Sequence, residues 1–82
     1  DPQLEWNLAQ SYMELEQFDK AGKAFETALP TYQDNPEFLR QLIDYYQQTG
    51  QHDQLVDELE HYVELVPTDT EMIDLLDSYQ NY

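Results

Sequence analysis

The chain has 82 residues, and its 18 acidic against 3 basic residues leave a formal charge of −15, which excludes general nucleic-acid binding and disfavours anionic membrane surfaces. Its length suits one small domain or part of a larger one, and 40% apolar residues, with 13% aromatic, can feed a core rather than leave the chain disordered. Cysteine is absent, which excludes disulfide frameworks and thiolate metal sites, and there is neither an apolar run of about 18 residues nor a signal-peptide pattern.

The first predicted element opens at Asp1-Pro2, a cap and first-turn pair in which the Asp side chain accepts from an orphan backbone N–H. Leu4, Leu8, Tyr12 and Leu15 then recur at helical spacing. A second helix is expected over 18–32, with Phe18, Ala21, Phe25, Ala28 and Leu29 on one face. Pro30 should kink or end it near Leu29, since proline removes one backbone bond and crowds the previous turn. The third opens at Asn35-Pro36 and carries Phe38, Leu39, Leu42, Ile43, Tyr45 and Tyr46 up to Gly50, which suits a left-handed helix end. A fourth, over 52–66, places Leu55, Leu59, Tyr62, Val63 and Val66 together before Pro67. The fifth, over 70–81, carries Ile73, Leu76 and Tyr79. Strand-like alternation is absent throughout, so the fold class is all-α.

Compared with itself at a shift of 34, the chain repeats without insertion or deletion. Asp1, Asn35 and Asp69 coincide, as do Leu8, Leu42 and Leu76, Tyr12 with Tyr46, Phe25 with Leu59, and Leu29 with Val63. The first unit reads Leu8-Ala9-x2-Tyr12, Ala21-x3-Phe25, Ala28, and the second Leu42-Ile43-x2-Tyr46, Leu55-x3-Leu59, Tyr62, Pro67. This resembles the tetratricopeptide repeat, whose unit is a 34-residue helix–turn–helix. The resemblance implies antiparallel helix pairs stacked as a right-handed superhelix, with repeats at 1–34 and 35–68 and the first helix of a third at 69–82. Small Ala9, Ala21 and Ala28 should let paired helices approach closely. Leu55 and Tyr62, larger than the residues expected there, should hold the second pair further apart. The start at Asp1 without an initiator Met, and the stop at Tyr82 within a repeat, predict a segment of a longer protein; a cytoplasmic location is the expectation.

Residues that carry chemistry are scarce. Asp57, Glu58, Glu60 and Glu64 share one helix, but a solvated acidic face does not supply the cleft and shifted pKa values that catalytic carboxylates need. His52 and His61 are nine residues apart, and Asp57 with His61 makes only a two-ligand pair where a dedicated metal site wants three or four. No Gly-rich phosphate loop or activated nucleophile is present. The expectation is therefore no enzyme activity, no cofactor and no metal.

What remains is surface. The resemblance implies a concave groove lined by the first helix of each repeat. Its contact positions fall on Gln3, Trp6, Gln10, Met13 and Glu14 in the first unit. In the second they are Glu37, Arg40, Asp44, Gln47 and Gln48, and in the third Glu71, Asp74, Ser78, Asn81 and Tyr82. Only Arg40 among them is basic, so a carboxylate clamp of the family's kind is not present. Trp6 lies outside the Leu4/Leu8/Tyr12 stripe, which fits either an exposed anchor or packing on a preceding repeat. The implied function is a protein–protein interaction scaffold for a basic or amphipathic partner, drawn to Trp6, Gln10, Met13, Glu14, Glu37, Arg40, Asp44, Glu71 and Asp74. The alternative is a spacer or self-association element of a longer helical-repeat protein. Under either reading, Met72, Ile73, Leu76 and Tyr79 are expected to form an uncovered face through which residues 70–82 make a homodimer. Crowded carboxylates, ten of them after Gln41 with no Lys or Arg, are expected to hold raised pKa values and to lower stability as pH rises.

Overall fold

The structure, a computed structural model, describes residues 1–81; Tyr82, assigned above to the groove, lies outside the described residues. Five helices follow one another: α1 (Pro2–Glu14), α2 (Phe18–Tyr32), α3 (Pro36–Thr49), α4 (His52–Leu65) and α5 (Thr70–Gln80). Their first residues recur at the 34-residue shift, Pro2, Pro36 and Thr70 for one set and Phe18 and His52 for the other.

The caps explain that register. The Asp1 carboxylate accepts from the Gln3 N–H at 3.0 Å, and the Asn35 side chain accepts from Glu37 and Phe38 at 3.0 and 3.2 Å. Asp69 does the same for Met72 at 3.3 Å. Such a cap contributes about 1 kcal/mol against alanine.

The two long helix ends also match. After α1, the Glu16 and Gln17 N–H groups donate back to the Met13 and Tyr12 carbonyls; after α3, Gly50 and Gln51 donate to Gln47 and Tyr46. Both are Schellman ends, which need one residue in the left-handed region. Gly50 supplies it at φ 71°, and so does Glu16 at φ 57°.

Pairing follows the expected hairpins. α1 packs on α2 and α3 on α4, while α2 also packs against α3 and α4 against α5. The α1–α2 pair is the most closely packed, through fully buried Ala9, Ala21 and Ala28. Around them lie Phe25, Phe38, Leu39, Leu42, Ile43, Leu55, Leu59 and Tyr62, all buried. Complete burial of a side chain such as Phe25 or Phe38 contributes about 2–3 kcal/mol.

Two expectations need correction. α2 spans the expected 18–32, running through Pro30 to Tyr32 rather than ending near Leu29. Pro30 is exposed and sits in the last turn, where its missing N–H deprives only the carbonyl of Glu26, itself an exposed residue. Nor is the α5 stripe bare. Met72 is buried, and Leu75, Leu76 and Tyr79 are partly buried against the core, with the Tyr79 ring 5.5 Å from His52. Of the four residues expected to form an open face, Ile73 is the one not packed into the core.

Candidate functional site

The helix register decides which groove residues meet. Gln10, Met13 and Glu14 lie on the last turns of α1, and Asp44 lies on α3, where α1 and α3 come side by side. Together with Gln41 and an edge of Phe25 they line a cleft of about 240 Å³. Phe25, buried to 1% exposure, and the half-buried Met13 form an apolar floor. Glu14 and Asp44 stand exposed at its sides, and among the described residues neither forms an ion pair. Asp44 accepts one bond, from Gln48 Nε2 on its own helix at 3.0 Å. The cleft is thus a short, mainly polar trough with an apolar patch from Met13 and Phe25 and two uncompensated carboxylates, an arrangement suited to an aliphatic stem ending in a cation.

Trp6 is packed on part of its surface against other helices of the chain. Its ring is half-buried, 4.7 Å from Tyr32 and 5.4 Å edge-on from Phe38. Its indole N–H donates to Gln41 Oε1 at 2.8 Å. The residue therefore ties α1 to the α2–α3 junction and reaches the cleft only through Gln41. Sequence reasoning did not single out Gln41 as its partner; a polar residue beside an apolar stripe carries no such signal.

Arg40 is likewise committed internally. Its Nη1 donates to Asp69 Oδ2 at 3.0 Å and to the Tyr62 hydroxyl at 3.4 Å, and that hydroxyl donates to Asp69 at 2.6 Å. The Tyr62 hydroxyl, above all, holds the Asp69 carboxyl below its usual range, with the Met72 N–H and Arg40 adding to it against the opposing effect of burial. Burial, chiefly, raises the Tyr62 pKa. This network locks the α4–α5 turn to α3. Glu71 is near enough to act on the Arg40 charge. Glu37 and Asp74 are exposed on α3 and α5 and join neither group. A larger hollow of about 520 Å³ is lined by five consecutive residues, Glu16 to Lys20, at the mouth of the α1–α2 turn.

Elsewhere, His61 Nε2 lies 2.8 Å from Asp34 Oδ1 and 3.0 Å from the Gln33 carbonyl. Nearby Glu58 has its carboxyl pushed up, first by burial and then by Asp57, with His61 opposing. Burial therefore leads the upward shift that crowding was expected to cause. Among the described residues no helix is long and apolar enough to cross a membrane.

Consecutive helical hairpins at a 34-residue period, with a cleft between their first helices, define an α-helical repeat protein of the tetratricopeptide class. A family model described as YpiA-like, C-terminal tetratricopeptide repeats matches residues 2–69, and the chain belongs to that family. It is also 36% identical over 50 residues to the TPR repeat-containing protein YpiA of Bacillus subtilis (strain 168), an alignment covering 61% of this chain and 12% of that protein. Membership points to a role in protein–protein interaction or scaffolding, in a family that is generally non-enzymatic.

Proposed function

We propose that residues 1–82 act as one interaction unit, built of repeats 1–34 and 35–68 and the first helix of a third at 69–82. Its α1–α3 cleft receives a basic or amphipathic segment of a protein partner. The supporting observation is the cleft itself: Met13 and Phe25 at its floor, Glu14 and Asp44 beside it without a cation of their own. A Lys or Arg stem fits such a trough, and the surrounding charge of −15 speeds the encounter more than it sets the affinity. Glu37, Glu71 and Asp74 extend the acidic field on both sides. Gln10 supplies a polar contact, and Arg40, held by Asp69, keeps the adjoining turn in place. In this reading the chain performs no chemistry and carries no cofactor.

The self-association reading rests on the apolar face of α5, of which Met72 is buried and Leu75, Leu76 and Tyr79 are partly buried against the core. Titration of Lys/Arg-rich against Glu/Asp-rich peptides at low salt tests the proposal, read by the fluorescence of Trp6, whose indole is bonded to the cleft residue Gln41. The basic peptide should alter the emission and the acidic peptide should not, and the Glu14→Gln/Asp44→Asn variant should bind the basic peptide several-fold more weakly. Equal responses to both peptides, or none to either, would refute it.

A further inference from the structure

Sulfur is confined to two methionines in this chain, Met13 and Met72, since cysteine is absent. Packing treats the pair differently. Met72 of α5 is 9% exposed and belongs to the core, whereas Met13, in the last turn of α1, is half-buried and lines the open α1–α3 cleft. An oxidant in solvent therefore reaches the first thioether far more readily than the second. A thioether reacts without losing a proton, so no neighbour has to activate Met13. What the neighbours decide is which oxidant arrives. Glu14 and Asp44 line the same cleft in a chain of charge −15, a field that repels anionic oxidants and leaves neutral ones unhindered.

The cleft also has groups that suit the oxidised product. Oxidation turns an apolar side chain into a polar sulfoxide, whose oxygen accepts hydrogen bonds. Gln10 and Gln41 line the cleft beside Met13. The Trp6 indole, a donor only, takes up Gln41 Oε1 at 2.8 Å, which leaves the Nε2 hydrogens of Gln41 for another acceptor. A sulfoxide on Met13 thus shares its cleft with amide donors, and the fold can carry it. The apolar patch does not survive the change: of Met13 and Phe25, only Phe25 remains to it.

We propose that Met13 is a modification site at which a hydroperoxide switches the α1–α3 cleft to a weakly binding state. The inference rests on the reading of that cleft as the seat of a cationic segment, and adds its regulation. The Sδ lone pair attacks the terminal oxygen of ROOH. An S–O bond forms, the O–O bond breaks, and ROH leaves with the proton; sulfur gives up two electrons and the peroxide gains them. The aliphatic stem of a bound Lys or Arg then loses its thioether contact and must displace the sulfoxide oxygen from its hydrogen bonds. Methionine sulfoxide reductases, one for each epimer, return the site to the thioether.

Brief treatment with hydrogen peroxide, followed by peptide mapping in a mass spectrometer, should place the added oxygen on Met13 well before Met72. Fluorescence anisotropy with a labelled Lys/Arg-rich peptide at low salt should then show several-fold weaker binding, unchanged helicity by circular dichroism, and recovery after both reductases. Met13→Leu cannot take the oxygen, so its binding, whatever the starting affinity, should be the same before and after peroxide. Equal oxidation of the two methionines, or undiminished binding by protein oxidised at Met13, overturns the switch and leaves the cleft reading intact. A loss of helicity on oxidation at Met13 overturns it too, by making the sulfoxide a lesion of the fold. Failure of the untreated protein to bind the peptide refutes the cleft reading itself, and the switch with it.

Discussion

Glu16 holds a left-handed backbone at φ 57° that Gly50, one repeat on, adopts at φ 71° without a Cβ in the way. A side chain in that region costs about 1–2 kcal/mol, part of which a glycine returns by loosening the unfolded chain. Glu16→Gly should therefore raise stability by about 0.5–1 kcal/mol, and Gly50→Ala should lower it by about 1 kcal/mol, both measurable as shifts in the urea midpoint. Gly50 was legible in the sequence because glycine marks such helix ends. Glu16 was not, since a left-handed glutamate leaves no trace in composition, although the shift of 34 aligns the two. Trp6 tells a related story. Its spacing set it off the apolar stripe, but its partners Tyr32, Phe38 and Gln41 come from other helices, beyond the reach of any one-helix pattern. Trp6→Ala should cost about 2–3 kcal/mol in chemical denaturation, somewhat below the range for a fully buried aromatic, and Trp6→Phe much less.

Between elements, α2 meets the Tyr45 side chain of α3 closely at Gly22. Gly22 is buried, and a Cβ built there would collide with the Tyr45 hydroxyl, which itself accepts from Gln51 Nε2 at 3.3 Å. Gly22→Ala must push the ring aside, an overpacking cost of about 1–3 kcal/mol. Gly22→Ala/Tyr45→Phe, which removes the hydroxyl, should recover part of that loss; equal destabilisation of the single and double variants would show that the ring is not the obstacle. The helices and their starts were legible because caps and apolar spacing are local signals, and the period checked each against its copy. Pro30 is a local signal too: proline disfavours helix interiors, yet in an exposed last turn it removes only one backbone bond. Position along the repeat makes Arg40 the one basic group of the expected groove. Its actual partner, Asp69, lies 29 residues away, and only the packing of α4 and its following turn brings them together.

For the molecule as a whole, two carboxylates pull stability in opposite directions with pH. Glu58, raised mainly by burial, keeps its proton longer in the folded state, so its contribution is lost as pH rises from about 4 through its folded pKa. Asp69, lowered first by the Tyr62 hydroxyl, stabilises the fold above the unfolded value of about 4 and stops doing so as pH falls through its folded pKa. Thermal melting should peak in the mildly acidic range and decline on both sides, and Glu58→Gln should flatten the decline toward neutrality. A midpoint that climbs steadily from pH 5 to 7.5 would contradict this. Added salt should raise the midpoint at pH 7.5, because a charge of −15 repels itself less as screening lengths shorten. The central claim, that the α1–α3 cleft receives a cationic segment, is tested most directly by amide chemical-shift mapping during titration with a Lys/Arg-rich amphipathic peptide. Shifts concentrated on Gln10, Met13, Glu14, Gln41 and Asp44, lost in Glu14→Gln/Asp44→Asn, are the expected result; shifts spread over the acidic surface of α4 and α5, with that cleft unmoved, would contradict it.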